Sequence, residues 1–438
     1  MDEPGVGTAV YTVSVCATAR VTGGFNSVNA LEQAIGEAAR AAGRQLYVQA
    51  FAALQDDWLA QRRDRFSAQR WRTLQWLTPF GAVDLPVRLV REKASGRYCT
   101  LSKILFRTKA TRRLSPVLEQ QACAAATEQN YRPAARSLSR WIGAHLGPWL
   151  VWACVQYHGA RRLLELEKAP PPPAQPMKVP ALISEVDSTW LKAQQRGRRG
   201  PVQHFPVHLG LHYTGRQRRY QARGSTSVRL QHKHVLVSTA PLAQFGRQFQ
   251  LQAHRHFRPA YHVLVSDGDE GLERLRENHF PQTPWLLDRW HIAQAVRAFT
   301  GPDANAFRRL MTPVWQADSE AALQALRESP LRPQRPKEFR ALFGYLLGNR
   351  EGIDAWLQIP ARLRRGQGRV AATVKCGSGA VEKNIEVEIN RRFKRQGRSW
   401  NPLRAERLLQ LKRLLADPRQ WSGWWKSNPQ FTLKPNPP

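Results

Sequence analysis

Apolar residues recur at helical spacing from about residue 28 to 70, through Leu31, Ile35, Ala39, Leu46, Phe51, Leu54 and Trp58, and predict a long helix. Between about 74 and 101 the period drops to two around Phe80-Gly81, with Val83, Leu85, Val87 and Leu89 on one side, and predicts a β-hairpin. Residues of about 130–166 return to helical spacing. Arg132–Ile142 is followed by a short turn bearing Gly143 and Gly147, then by a second helix that opens on Pro148. This is a helix-turn-helix pattern, compatible with reading DNA or with two packed helices of a bundle. The run Pro170–Pro173 cannot continue a helix and marks a linker over 169–180.

Beyond the linker, short apolar runs end in polar residues: Ala181–Asp187, Val207–His212, His234–Ser238, Tyr261–Asp267 and Trp285–Asp288. Val207–His212 alternates by two, while Tyr261–Asp267 is a nearly continuous apolar run that suits a strand buried on both faces of a sheet. A helix over Arg289–Phe299, a helical region of about 303–365, and two basic helices of about 378–396 and 402–416 complete an α/β pattern. The chain therefore divides into a mainly helical part, 1–168, a linker, an α/β part, 181–416, and a tail, 417–438.

Composition narrows the partners. Of 438 residues, 67 are Lys or Arg and 33 are Asp or Glu, a formal net charge of +34, while 42% are hydrophobic. The chain is globular, and so large an excess of one sign calls for a polyanion. No window approaches a membrane-spanning helix, and the start MDEPGVGTAV lacks a basic segment followed by a long apolar core, so no secretion signal is expected. Five scattered cysteines (Cys16, Cys99, Cys123, Cys154 and Cys376) argue against a zinc ribbon and for a reducing compartment. A cytoplasmic, nucleoid-associated protein is expected.

The candidate chemistry lies in acids. Asp187 and Asp267 end apolar strands, and Glu382 falls in the first turns of a later helix, Gly377-Ser-Gly-Ala-Val-Glu-Lys-Asn. Acids at strand C-termini emerge at the sheet rim, where α/β sites gather. Three such carboxylates form an oxygen-only site suited to two Mg²⁺ or Mn²⁺ ions, which can promote in-line phosphodiester displacement. Each acid also has a plainer role: Asp267-Gly268 is a turn dipeptide, Asp187 can cap the following segment, and Glu382 suits a helix start.

Three stretches resemble the DDE transposases of bacterial insertion sequences, in the Mutator-like branch and its ISLre group. They are Glu185-Val-Asp-Ser-Thr-Trp190; Val265-Ser-Asp-Gly-Asp-Glu-Gly271 with Leu287-Asp-Arg-Trp-His-Ile292; and Gly377–Lys383 running to Arg391-Arg-Phe-Lys-Arg-Gln-Gly-Arg-Ser-Trp400. Thr78-Pro-Phe-Gly-Ala-Val83 is similar to a hairpin upstream in that group. The resemblance implies an RNase H-like mixed sheet with a helical insertion over about 292–375, preceded by a mainly helical DNA-binding domain. It implies metal-ligand places for Asp187, Asp267 and Glu382, with Asp288 and His291 close by in support. It further implies double-stranded DNA partners, at element ends and target, and a homo-oligomer on DNA. Two departures leave second candidates open. Asp269 and Glu270 follow Asp267-Gly268, where the family carries a small residue, and the first motif reads Asp187-Ser188 rather than Asp-Gly, with Glu185 as a rival.

Other constellations carry less. His208 and His212 share a strand face but stand roughly 13 Å apart, too far for one zinc. His232/His234 and His254/His256 are pairs on expected strands, read as solvated or DNA-facing. No GxxxxGK[ST] motif occurs. Arg391, Arg392, Lys394, Arg395 and Arg398, with Trp400, mix cations with an aromatic as phosphate contact and base stacking demand. Arg362, Arg364, Arg365, Arg196, Arg198, Arg199, Arg216, Arg218 and Arg219 extend that surface. The resulting expectation is a metal-dependent transposase. A nuclease of the same fold without strand transfer and a catalytically inactive or recruited DNA-binding protein are the alternatives.

Overall fold

The computed structural model describes residues 13–102, 113–168, 175–194, 201–220, 226–359, 379–395 and 398–427. Two units emerge, residues 1–163 with 410–438, and residues 164–409.

In the first unit, Ser27 caps a helix α1, Val28–Ala60, by accepting from the Ala30 amide at 3.2 Å. The long helix expected to residue 70 stops at Ala60, because Phe66 begins a strand. β1 (Phe66–Thr78) and β2 (Gly81–Glu92) form an antiparallel hairpin, extended by β3 (Tyr98–Thr100). Burying Phe66 against Trp58 and Leu59 favours pairing there over another helical turn. Gln55 joins α1 to β2: its amide donates to the Pro86 carbonyl at 2.7 Å and its oxygen accepts from the Arg88 amide at 2.9 Å. Helices α2 (Pro116–Glu128), α3 (Tyr131–Ile142) and α4 (Pro148–Glu167) follow.

The second unit is built on a five-stranded mixed sheet. Its elements are β4 (Met177–Val179), β5 (Leu182–Lys192), β6 (His204–Tyr213), β7 (Gly215–Tyr220), β8 (Thr226–Gln231), β9 (His234–Ser238), α5 (Leu242–His256), β10 (Phe257–Pro259), β11 (His262–Ser266), α6 (Glu270–His279), β12 (Trp285–Leu287) and α7 (Arg289–Thr300). The sheet order is β12-β11-β5-β6-β9. β5, β6 and β9 run antiparallel in succession, while β11 is parallel to β5 and β12 parallel to β11. β4 lies within the expected linker, yet pairs in parallel with β10. Asp187 does not end its strand: β5 continues to Lys192, paired with β6 throughout.

The faces of this sheet differ. Ser184, Val186 and Ser188 of β5 point to the back, where Phe245 and Phe249 of α5 and Leu272 and Leu275 of α6 make an apolar layer. Gly210 of β6 is needed there, since any Cβ would overlap the Phe249 ring. Beyond α7, a helical subdomain of α8 (Ala304–Gln316), α9 (Ser319–Arg327), α10 (Pro336–Gly348) and α11 (Arg350–Asp354) has its own core around Phe299, Met311, Leu323 and Leu346. The helix α12, Gly379–Ile385, continues through a π-helical turn, Glu386–Asn390, into Arg391–Phe393, and α13 spans Pro402–Leu415.

Residues 417–427, expected as a tail, instead form a helix of the first unit, α14 (Pro418–Lys426), capped by Asp417. Its Trp424 and Trp425 rings lie 5.9 and 4.6 Å from the buried His158, whose Nε2 is 2.6 Å from Glu119 Oε2. Three tryptophans in nine residues are enough apolar area to order the segment. Among the described residues no helix is long and apolar enough to cross a membrane.

Candidate active site

Strand register assembles the acids. Val265 of β11 stands opposite Glu185 of β5, and Ser266 opposite Leu287 of β12. Carried forward, the register sets Asp187, Asp267 and Asp288 level on three adjacent parallel strands, about 4.8 Å between neighbours. Alternation directs all three to the front of the sheet, opposite the apolar back. The Asp288 amide donates to the Ser266 carbonyl at 2.8 Å, which holds the row together.

Two helices complete the cluster. Asp288 caps α7, accepting from the Trp290 amide at 3.0 Å, so His291, one turn along, returns to the same end. α12 lies on the front of β5 and β6 and carries Glu382. His291 Nε2 is 3.4 Å from Glu382 Oε1 and 3.6 Å from Asp288 Oδ2. Asp288, His291 and Glu382 each offer an atom within 4.8 Å of the other two, a spacing at which one metal ion can be held.

These groups feel each other's charge. Burial, then the charge of Asp267, pushes the Asp187 carboxyl up to about 6, against a lowering from the Ser188 amide and His291. Asp267 is also raised, first by burial, with His291 pulling the other way. For His291, burial disfavours the cation. The Glu382 hydrogen bond and the charges of Asp288, Asp267 and Asp187 outweigh it and raise its pKa. The site thus concentrates negative charge in a half-buried place and already holds one group favoured as a cation.

The members of the two open pairs have different surroundings. Asp269 caps α6, accepting from the Gly271 amide at 2.8 Å, while the Asp267 carboxylate accepts from the Asp269 amide at 3.1 Å and its charge reaches Asp187. Glu185 is 1% exposed, and both its oxygens are engaged by Tyr213, Arg216 and the Val381 amide. Burial raises its carboxyl to about 7. Arg216, expected on an open basic surface, is turned inward to this pair.

The basic run is divided by burial. Arg391 and Arg395 are exposed and flank Glu386, with Arg395 at 3.1 Å. Arg392 and Trp400 are not available as surface contacts. Arg392 is 1% exposed, with its guanidinium 5.0 Å from the Trp400 ring, and Trp400 packs on Phe393 at 4.8 Å and donates to its carbonyl. Trp400 is held because its backbone extends β5, its amide donating to the Lys192 carbonyl at 2.9 Å. Arg398 donates to the Arg392 carbonyl. Lys394 donates to Thr189 Oγ1 on the front of β5, two residues beyond Asp187, and senses the Asp187 charge. Arg196, Arg198, Arg199, Arg362, Arg364 and Arg365 lie outside the described residues, as do the side chains of Arg218 and Arg219.

The histidines divide by burial: His208 and His212 are buried, His234 and His256 half-buried, and His232 and His254 exposed, as expected of solvated residues. His212 is fully buried, stacked on Phe249 at 4.0 Å, and His234 stacks on His256 at 4.0 Å. His254 and His256 belong to α5, not to a strand.

Sequence reasoning missed Tyr345 of the helical subdomain, whose hydroxyl donates to the Asp267 carbonyl at 2.8 Å. Its neighbour Asn349 lies so close to Gly268 (φ +83°) that a Cβ there would overlap it, so this turn requires glycine twice over. No local signal marks Tyr345. The two-residue spacing of Glu185 and Asp187 marks only a shared face of β5; the donors that meet Glu185 come from distant residues.

A family model described as "Uncharacterised protein family (UPF0236)" matches residues 20–423. No curated protein matches the chain. Among solved structures, the Drosophila P element transposase strand transfer complex aligns over 72% of this chain and 82% of that one at 8% identity. Its TM-score is 0.20, below the range of a shared fold.

Proposed function

The chain belongs to the family UPF0236, and we propose from its acidic cluster that it is a DDE-type DNA transposase with an RNase H-like catalytic unit. The observation that carries this reading is the row Asp187, Asp267 and Asp288, level across three parallel strands and closed by Glu382 and His291 from two helices. The order β12-β11-β5-β6-β9, with its first two strands parallel to the third and the last two alternating, supports it. So does the helical subdomain inserted before the Glu382 helix, as the sequence resemblance implies.

The residues fit hard divalent cations. Carboxylate oxygens dominate the set, and the burial and the Asp267 charge that raise Asp187 are both what a bound cation offsets. Asp187, Asp267 and Glu382 would hold Mg²⁺ or Mn²⁺, two ions in this reading. When bound, the ions supply charge neutralisation and Lewis acidity at the scissile phosphodiester. Asp288 fixes the start of α7 and with it His291, whose pKa is raised and whose ring lies between Asp288 and Glu382. Lys394, held by Thr189 beside Asp187, offers an ammonium to a substrate phosphate. Arg391 and Arg395 add exposed charge on the same segment, and the net +34 draws DNA toward the cluster. Water attacks the phosphodiester at an element boundary, leaving a 5′-phosphate and freeing a 3′-hydroxyl, and that hydroxyl attacks a target phosphodiester in line, displacing the target's own 3′-oxygen, which leaves as a hydroxyl. Joining two ends calls for at least two copies on DNA.

The test is cleavage and joining of DNA carrying element ends in Mg²⁺. Asp267→Ala and Glu382→Ala are each expected to lower cleavage by about 10³-fold or more. Undiminished cleavage in both variants overturns the assignment. Nicked but unjoined products identify a nuclease instead, and salt-sensitive binding with no nicking in the wild type identifies a non-catalytic DNA-binding protein.

A further inference from the structure

We propose that Glu185 is the positioning residue for Glu382: it ties the helix that carries this carboxylate to the strand that carries Asp187. The inference rests on reading Asp187, Asp267 and Glu382 as cation ligands. Glu185 and Asp187 are two apart on β5 and share its front face, and Val381 and Glu382 are adjacent on α12. The Val381 amide donates to Glu185 Oε2 at 2.9 Å, across 196 residues of sequence. That amide belongs to the first turn of α12, where backbone N–H groups have no partner within the helix, so the carboxylate satisfies a donor that would otherwise be orphaned.

The other oxygen fixes Glu185 itself. The Tyr213 hydroxyl donates to Oε1, Arg216 donates to the same atom at 3.2 Å, and Arg216 also reaches the Tyr213 hydroxyl at 3.1 Å. Tyr213 lies on β6, the neighbour of β5, so strand pairing places it, and Arg216 follows just past the turn into β7. A carboxylate buried this deeply is tolerated only because three donors meet it. The same three donors engage both of its oxygens. Glu185 therefore acts on Glu382 through the backbone of α12, as outer groups orient metal ligands elsewhere.

The test pairs amide hydrogen exchange over residues 379–390 with Mn²⁺ binding, read as free Mn²⁺ by electron paramagnetic resonance. Measurements use the full chain with Glu185→Ala, Glu185→Gln and Tyr213→Phe. Glu185→Ala is expected to speed exchange across α12 by about tenfold or more and to weaken Mn²⁺ binding by about 10–100-fold. Glu185→Gln keeps an acceptor for Val381 and restores both readouts to within about threefold of wild type. Tyr213→Phe loosens the peg without removing it, giving a shift of about threefold in each, and stands in if Glu185→Ala does not fold. Unchanged exchange at α12 in Glu185→Ala, or in Tyr213→Phe if the former is unfolded, overturns the proposal. So does faster exchange with Mn²⁺ affinity unaltered. If the wild type binds no Mn²⁺, the transposase reading falls, and the exchange arm still decides whether Glu185 tethers α12.

Discussion

The two faces of the central sheet both bury polar side chains, and they solve that problem in opposite ways. On the back, Ser184 Oγ sits 2.7 Å from both His212 Nδ1 and His262 Nε2, His212 Nε2 donates to the Phe249 carbonyl at 2.9 Å, and Ser188 Oγ is 2.7 Å from His208 Nδ1. Every one of these groups is neutral when its hydrogen bonds are made, so the network is a satisfied core. On the front, four carboxylates gather, Asp187, Asp267, Asp288 and Glu382, and burial together with the charges of Asp267 and Glu382 raises the Asp187 carboxyl. The back contributes stability; the front holds electrostatic strain that only positive charge relieves.

Lowering the pH breaks the back face first, with the largest expected effect. Burial pushes the pKa of His208 and His262 down to about 4, and that of His212 well below the ordinary value. The unfolded chain then takes up protons before the folded one does. Stability is full above the ordinary histidine value and is lost as pH falls from about 6.5 toward 4, on the order of 5 kcal/mol in all. Thermal melts between pH 7 and 4 check this, and His262→Gln should flatten the slope; an unchanged slope counts against the neutral network.

A single truncation comes next. His212→Ala removes a ring stacked on Phe249 and leaves the Phe249 carbonyl and Ser184 without it, a loss of about 2–4 kcal/mol in chemical denaturation. Asp187→Asn on the front should do the reverse, stabilising the fold by about 1–3 kcal/mol near pH 8. Because the folded pKa of Asp187 is raised to about 6, its destabilising effect is absent below its ordinary value near 3.8 and complete above about 6, so the gain should vanish near pH 4. A gain that persists at pH 4 would point to packing instead. The smallest effect is that of the cation itself. Millimolar Mg²⁺ should raise the wild-type melting temperature by about 2–4 °C, and Asp187→Asn should lose most of that rise.

Periodicity located β6, β9, β11, β12 and α7 with little error: β11 and β12 are short continuous apolar runs, β6 alternates by two, and α7 carries Ile292, Val296 and Phe299 at helical spacing. It failed where polar residues lie in regular structure. β5 runs past Asp187 to Lys192 because pairing with β6, and not hydrophobicity, holds Ser188 and Lys192 in the strand. α5 was missed because Gln248, Gln250, Gln252 and His254 dilute a stripe carried by Phe245, Phe249 and Ala253. In the candidate site, Asp267 and Asp288 follow their strands and Glu382 opens its helix as the pattern suggested, whereas Asp187 lies inside β5. Their supports, Tyr345, Tyr213 and Arg216, were not legible, since each acts from another element through a single hydrogen bond.

The sequence by itself determined which residues could carry charge and which stretches had to be buried, because transfer from water depends on side-chain chemistry that any reader of the chain can see. Only the tertiary structure decided which charges are spent inside and which face outward. Arg216, Arg392 and Trp400 look like surface contacts in a basic chain, and the fold turns all three inward. Glu185 and Asp187 are two residues apart on one strand, and the fold makes one a peg and leaves the other in the cluster. That assignment depends on which donors arrive from distant parts of the chain, and strand register and helix packing are what bring them there.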